Sequence, residues 1–529
     1  MERRTLLKGA GAASLATLAA PAKLRAQSMT TLRFIPQIDL VYLDPVYTTP
    51  YVSRNHGYLV FDTLYGMDSN FKMQPQMLEG HSIENDGKLW NLTLRPGLLW
   101  HDGEKVLARD CVASIQRWAK RDPFGATLMQ ATDELSAADD RTIRFRLKYP
   151  FPLLPEALGK IPSPMCAMMP ERLAQTDPFQ QVREIVGSGP FRFVPDERVP
   201  GARNVYEKFA GYKPRETGRP DWTAGPKVVH YDRVVWNTMP DIGTATSALQ
   251  AGEQDWMEYA YHDMLPLLRK APNVEVKVLD PTGMVTMLRV NHLQPPFDNP
   301  AIRRALFGAI DQTSFMEALA GSDPSLYHVP LGFFAPGTPM ASEEGLGPLT
   351  GPRDFAKVRA EIKAAGYKGE KVVLMVPADS PTLKSQGDVA ADMFQQAGLN
   401  VDYMALDWGT MLTRRNRKDS AEAGGWNAFV TSWAGMDWLN PAGHIALRGN
   451  GEAAYAGWST SPRLEELRTA WFRAPDEAAQ KAICVDMQKQ AMIDVPYYPL
   501  GQYVQPTAYR KSITGIGGGI PTFWNVRPA

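Results

Sequence analysis

The sequence predicts an α/β protein whose main sheet contains parallel strands. Between residues 371 and 432, short apolar strand-like runs alternate with amphipathic helical runs in the order strand, helix, strand, helix, strand. This order builds a parallel sheet through right-handed crossovers. The chain has 529 residues, of which 44% are hydrophobic and 22% are charged. These values are typical of a globular protein, and the length indicates about three domain-sized units.

Periodicity and capping residues place the elements before residue 311. Alternating apolar and polar residues predict strands at 31–38, 89–94, 141–148, 228–237 and 283–291. Residues 55–68 are predicted to form a helix. A second helix begins after its natural N-cap, Asp241, and ends at Gly252. Asn299 and Pro300 are a natural N-cap and first residue of a third helix.

The segment 371–432 is read in the same way. A strand at 372–376 precedes a helix that closes at Gly398, and the next strand begins at Val401. Asp407 is a natural N-cap for a short second helix, and a third strand covers 428–432.

A long composite motif runs from Leu89 to Trp118 and reads LWNLTLRPGLLWHDGEKVLARDCVASIQRW. It comprises a strand, an Arg-Pro-Gly turn, a His-Asp-Gly turn and a helix. This stretch resembles the peptide/nickel-type bacterial extracytoplasmic solute-binding proteins, family 5, which read "LR.GV.FHDG.P..A.DV..S..R" here. NHLQPPFDNPAIRRALFGAID, from Asn291 to Asp311, resembles the same family's "N…PPFDD.RVRQA…AID". The likeness covers nearly the whole chain after residue 30.

The resemblance implies a two-lobed periplasmic binding protein fold of class II, of the large type with an extra subdomain, and with the ligand in the interlobe cleft. On this basis we assign residues 27–280 to a first lobe with an inserted subdomain at about 60–185. Residues 281–489 form the second lobe, and 490–529 return to the first. Pro281 and residues 495–499 are the candidate hinges. The family captures solutes and delivers them to permease subunits of ABC importers in the inner membrane.

The first residues indicate export to the periplasm. Arg3 and Arg4 precede a weakly apolar, Gly/Ala-rich run at 9–20, a pattern typical of a twin-arginine signal. An ordinary Sec signal that holds two arginines is the alternative. We assign residues 1–26 to this signal and exclude them from the fold. No later apolar run approaches the roughly 20 residues of a membrane span, so a spanning segment is not expected.

Charge and cysteine content exclude other classes of protein. Lys+Arg and Asp+Glu both number 57, so there is no basic surplus for a nucleic acid partner. The three cysteines, Cys111, Cys166 and Cys484, allow at most one bridge, and we expect buried free thiols. We also expect a monomer.

The predicted parallel strands locate a binding site without any motif. In open α/β sheets, ligands sit beyond the carboxyl ends of the strands, here 377–381, 406–409 and 433–440. This rim is rich in indole and carboxylate groups: Asp407, Trp408, Trp433, Asp437 and Trp438. Indole faces attract cations, and a desolvated carboxylate favours an ammonium group. The rim therefore indicates an amine-bearing solute.

Asp437 has an expected role that comes from the resemblance. In peptide-binding relatives, an aspartate shortly after a Trp-x-Gly stretch pairs with the amino terminus of the ligand. Residues 433–437, WAGMD, resemble this element with one extra residue before the aspartate. Asp407 has the alternative role of helix N-cap, and Trp408 and Trp438 have the alternative role of hinge or core packing.

Four further residues complete the candidate site. Arg289 lies in a predicted strand, and its guanidinium suits a bidentate clamp for a solute carboxylate. A salt bridge between the lobes is the alternative for Arg289. Tyr51, Tyr455 and Trp458 are candidate aromatic residues of the cleft.

Catalytic patterns are weak in this chain. None of the eight histidines falls in an HExxH or other metal-binding spacing. Ser188 lacks the flanking residues of a nucleophile elbow, and the glycines at 515–519 lack dinucleotide-loop spacing. We therefore expect no catalytic residues, metal or cofactor.

The leading hypothesis is a receptor for a di- or oligopeptide, or for another amine-bearing solute such as an opine. Two alternatives remain open. One is a secreted hydrolase acting on peptides or glycosides, and the other is a periplasmic chaperone or signalling receptor.

Overall fold

Residues 30–529 are described by the computed structural model, and two large mixed sheets form the centres of its two lobes. The first sheet has seven strands, in the spatial order Val274–Lys277, Thr507–Arg510, Trp256–Met257, Thr31–Ile35, Arg233–Asn237, Arg203–Lys208 and Phe191–Phe193. Thr31–Ile35 is parallel to both of its neighbours. Helices Tyr51–Val60, Ile242–Ala251 and Leu265–Lys270 belong to the same part of the chain. As predicted, Asp241 caps Ile242–Ala251 by accepting from the Thr244 amide, and Gly252 ends it in the left-handed conformation.

The region predicted to be an inserted subdomain contains a four-stranded antiparallel sheet in the order Leu78–Glu84, Leu89–Leu94, Thr142–Leu147 and Thr132–Ala137. Its helices are Ala108–Ala119, Pro123–Ala131, Leu154–Gly159 and Glu171–Ala174. Strands at 89–94 and 142–147 are confirmed, with Trp90, Leu92 and Leu94 on the buried face.

The predicted helix at 55–68 is corrected. The helix is Tyr51–Val60, and Tyr65–Met67 is a strand that pairs with Met73–Pro75. Every residue from Val52 to Met67 is buried. A run that is buried on all sides has no polar face, so its periodicity does not distinguish helix from strand.

The second sheet has six strands, in the order Tyr327–His328, Tyr497–Tyr503, Met284–Val290, Ala428–Ala434, Lys371–Pro377 and Asn400–Leu406. The last three are parallel to one another, as predicted. Surrounding helices are Pro300–Ala305, Gln312–Ala320, Gly347–Thr350, Phe355–Ala364, Pro381–Gln396, Trp408–Arg414, Pro462–Phe472 and Glu477–Asp494. Because the three strands run the same way, Pro377, Leu406 and Ala434 end at one edge of the sheet.

The chain passes between the two sheets at residues 278–283 and again at 504–506. Pro281, a predicted hinge, lies in the first crossing. Residues 495–499 do not lie in the second, because Tyr497–Tyr503 is a buried strand that pairs with Met284–Val290 and Tyr327–His328. The chain therefore returns to the first sheet after Tyr503 rather than near residue 490. Other assigned lobe boundaries stay predictions.

The predicted export signal lies outside the described residues. Within residues 30–529, no helix is long and apolar enough to cross a membrane. All three cysteines are buried and unpaired, as expected, and burial raises the pKa of the Cys111 thiol well above its usual range.

Candidate functional site

A cavity that is partly open to solvent lies between the predicted inserted region of the first lobe and the second lobe. Methionine, phenylalanine, leucine and proline side chains supply much of its wall. Five charged side chains also line it: Lys72, Glu156, Lys160, Asp437 and Glu477. The first three belong to the first lobe and the other two to the second. An apolar cavity with a few polar groups is the usual form of a small-molecule site.

Asp437 reaches this cavity from the end of the parallel strand Ala428–Ala434, through the short turn Gly435–Trp438. Gly435 fixes the turn against the first crossing, because its amide donates to the Gly283 carbonyl at 2.8 Å. A Cβ at Gly435 would lie 2.0 Å from the Thr282 carbonyl oxygen, so only glycine allows this approach. The position of Asp437 therefore depends on the sheet edge and on the interlobe crossing.

Tyr51 and Asp437 meet across the two lobes. Tyr51 begins the first-lobe helix Tyr51–Val60, and its hydroxyl donates to Asp437 Oδ2. The same hydroxyl accepts from the Ala434 amide at 2.7 Å. Burial raises the pKa of Asp437, while the Tyr51 hydrogen bond and the charges of Arg54 and Lys160 oppose that shift. A largely buried carboxylate with one hydroxyl donor retains capacity for a positively charged partner.

A polar cluster that sequence reasoning missed lies beside Tyr51. The Arg54 guanidinium carbon is 4.8 Å from the centre of the Tyr51 ring, and Arg54 donates to Asn55 Oδ1 at 3.2–3.3 Å. Asn55 in turn donates to Glu258 Oε1 at 2.8 Å. Burial raises the pKa of Glu258 to about 7 and that of Asp280 to about 6. The run of consecutive polar residues at 53–56, within a chain segment that is otherwise mostly apolar, was the available signal in the sequence.

Trp433 and Tyr455 form a separate aromatic pair. Their rings pack edge to face at 5.5 Å. The Trp433 Nε1 is buried and has no hydrogen-bond partner among residues 30–529. The Tyr455 hydroxyl accepts from Arg415 at 2.9 Å. The pair does not line the cavity, so a role in binding remains a proposal for both residues.

Trp408 and Asp407 occupy the neighbouring strand end. Asp407 is exposed and caps helix Trp408–Arg414, accepting from the Thr410 amide at 2.9 Å. Trp408 is half-buried, and its amide donates to Asp379 at 2.9 Å. Neither side chain lines the cavity. Asp407 is a helix N-cap, which is the alternative role that the sequence analysis predicted for it.

Arg289 is not placed to clamp a solute. Its side chain is fully buried and donates to four main-chain carbonyls, those of Ala446, Tyr455, Ala456 and Pro496, at 2.7–3.0 Å. These contacts contradict both roles predicted for Arg289, the carboxylate clamp and the interlobe salt bridge. Arg289 instead joins the strand Met284–Val290 to three loops of its own lobe, and burial lowers its pKa to about 10.

Trp438 and Trp458 are core residues. Trp438 is 1% exposed and stacks on His444, with ring centres 4.8 Å apart. Trp458 is 5% exposed and packs against Trp426 at 5.7 Å. Both residues are therefore removed from the candidate site. For Trp438, core packing is the alternative role that the sequence analysis predicted.

In the part of the chain that the structure describes, no group of three or more His, Cys, Asp or Glu side chains is arranged to hold a metal ion.

Comparisons with known proteins agree with this architecture. The sequence model described as "Bacterial extracellular solute-binding proteins, family 5 Middle" matches residues 72–454. A relative from Sinorhizobium fredii, named "Probable peptide ABC transporter periplasmic-binding protein y4tO", is 36% identical over the full length of both chains. The glutathione-binding protein GsiB of Pectobacterium atrosepticum is 26% identical, over 90% of this chain and 89% of its own.

Two solved structures share the fold. One is the binding protein AgaA from A. tumefaciens R10 in complex with agropinic acid, with a TM-score of 0.77 and 20% identity over 94% of this chain and 99% of its own. The other is a dipeptide-binding protein from Pseudoalteromonas sp. SM9913 in complex with Met-Leu. It has a TM-score of 0.78 and 17% identity, over 94% of this chain and 100% of its own.

Proposed function

The chain belongs to the bacterial extracellular solute-binding proteins of family 5, and from this premise we propose that it is the periplasmic receptor of an ABC importer. We propose that it captures a small amine-bearing solute, a di- or oligopeptide or an opine. The peptide-transporter name of the Sinorhizobium relative and the dipeptide Met-Leu bound in one solved structure support the peptide class, and agropinic acid bound in the other supports the opine class.

Asp437 is the observation that carries the proposal. Its carboxylate lines the interlobe cavity, is largely buried, and receives a hydroxyl donor from Tyr51 of the opposite lobe. An ammonium group beside it would supply the missing positive charge in a low-dielectric site. The apolar wall would accommodate the remainder of the solute.

Lobe closure would couple this binding to transport. A ligand drives closure only if it binds the closed form better than the open form, so it must contact both lobes. Asp437 belongs to the second lobe, whereas Glu156 and Lys160 line the cavity from the first.

The test is a thermal-shift screen of amino acids, dipeptides, opines, glycosides and nickel chelates, followed by calorimetry on every hit. We expect saturable binding of one amine-bearing solute at unit stoichiometry. Solute recovered from the complex should be chemically unchanged; turnover would favour the hydrolase alternative. A screen in which only solutes without an amine bind would overturn the proposal.

Export and oligomeric state belong to the same proposal. Replacing Arg3 and Arg4 with lysines should retain the protein in the cytoplasm if the twin-arginine pathway is used. Size-exclusion chromatography with light scattering should give a mass close to the 58.7 kDa of one chain, less any cleaved signal.

A further inference from the structure

The two lysines of the cavity already have carboxylate partners. Lys160 pairs with Asp122, and both side chains are buried. Lys72 pairs with Glu477 across the two lobes, at an exposed position. Each lysine therefore already forms an ion pair with another carboxylate, and its charge acts on the remaining acidic groups of the wall without forming an ion pair with them.

Glu156 is the first-lobe carboxylate of the wall that forms no ion pair within residues 30–529. It lies on the short helix Leu154–Gly159, and its Oε2 atom is buried without a hydrogen-bond partner in the described chain. Burial raises the pKa of this carboxyl, while its own backbone amide and the charge of Lys72 oppose that shift. A buried carboxylate with an unsatisfied oxygen is costly unless a cation reaches it.

The cavity thus carries two acidic groups that need positive charge, and they belong to opposite lobes. Asp437 contributes one from the second lobe and Glu156 contributes the other from the first. Met436 and Leu439 lie in the wall on the second-lobe side, and Leu153 lies beside Glu156. An apolar surface next to two anions suits methylene chains that end in cationic groups.

We propose that the cavity selects solutes with two cationic groups, one held by Asp437 and the other by Glu156. A dipeptide with a lysyl side chain has this chemistry, as does a linear diamine. The inference rests on the proposed function and names its substrate class. A dicationic solute would form an ion pair with each lobe, whereas a monoamine would form an ion pair only with the second lobe.

The test compares ligands that differ only in the second charge. Calorimetry would use Ala-Lys against Ala-norleucine, Lys-Ala against norleucyl-Ala, and 1,5-diaminopentane against pentylamine. We expect the unaltered protein to bind the dicationic member of at least one pair tenfold or more tightly. Glu156→Gln should reduce that ratio to about one while leaving the affinity for the neutral-side-chain partner unchanged.

Two variants control the result. Glu134→Gln changes a half-buried carboxylate of the same predicted inserted region that pairs with Arg146 and does not line the cavity, and it should keep the full preference. Asp437→Asn should weaken both members of a pair but retain the preference between them. If Glu156→Gln does not fold, the preference measured with Asp437→Asn still tests the inference.

Each failure has a distinct meaning. Equal affinity for both members of every pair would overturn the inference and leave the proposed function intact. A preference that survives Glu156→Gln, or is lost in Asp437→Asn, would overturn the assignment of the second charge to Glu156. Absence of binding by every amine would remove the proposed function and this inference together.

Discussion

Replacing Asp437 with asparagine removes one charge and keeps the shape of the side chain. In the native site the carboxylate is largely buried and has Tyr51 as its side-chain donor, so a bound ammonium would be its main compensating charge. Truncating one partner of such a pair costs about 2–5 kcal/mol of binding free energy. We therefore expect Kd for an amine-bearing ligand to rise by about 30-fold to several thousand-fold.

The assay is calorimetry of wild type and variant with one ligand, at 25 °C and neutral pH. Asp407→Asn is the matched control, because Asp407 lies at the neighbouring strand end but is an exposed helix cap. It should leave Kd unchanged. Melting curves should show that both variants are folded. A Kd for Asp437→Asn within threefold of wild type would refute the role assigned to this carboxylate.

Four further predictions concern the same lobes. Arg289→Met should lower the free energy of unfolding by at least about 3 kcal/mol in chemical denaturation, because four buried carbonyls lose their donor. Lost affinity at normal stability would instead favour a ligand clamp. Trp433→Ala should keep a cooperative melt, because Trp433 is only half-buried, and should weaken solute binding in calorimetry, because Trp433 precedes Ala434, whose amide donates to the Tyr51 hydroxyl beside Asp437. Trp438→Ala should cost about 3–5 kcal/mol of stability. A collapsed melt for Trp433→Ala or unchanged stability for Trp438→Ala would contradict these expectations. Gly435→Ala should weaken solute binding and lower the melting temperature, because the alanine Cβ would overlap a main-chain oxygen. An unchanged Kd and an unchanged melting temperature would contradict this close contact. The pKa of Glu258 is raised to about 7, so the folded state holds a proton that the unfolded state releases near pH 4.5. Its contribution to stability is full below pH 4.5 and falls by about 3 kcal/mol as pH rises to 7. In ligand-free melts, the stability of Glu258→Gln should therefore fall less than that of wild type as the pH rises from 5 to 7.5. An equal fall in both proteins would contradict the raised pKa of Glu258.

The parallel part of the second sheet was predictable from sequence because its signals are local. The apolar strand at 371–377, the helix after it and the strand at 400–406 each have the length and period of their element. Right-handed crossovers then fix the parallel order, and that order places the end of Ala428–Ala434 at the ligand edge. Asp437 was found by this route, without knowledge of its contacts.

The partners of Asp437 and the role of Arg289 were harder to predict for a shared physical reason. Tyr51 and Asp437 are 386 positions apart, and their contact exists only because the two lobes meet. Arg289 is surrounded by apolar strand residues, which is compatible with a clamp, an ion pair or a set of carbonyl acceptors. The loops that supply those carbonyls have no periodic signal. Tertiary contacts of this kind leave no mark in local sequence.

The contact between Tyr51 and Asp437 places a condition on any ligand that closes the lobes. Tyr51 donates to Oδ2 of the carboxylate, and a carboxylate offers about four acceptor positions over its two oxygens. An ammonium bound at the other oxygen would add to the interlobe hydrogen bond instead of replacing it. The two interactions would then stabilise the same closed arrangement, since each lowers the cost of burying the charge that the other contacts. Ligand binding and lobe contact would therefore be thermodynamically coupled through one side chain.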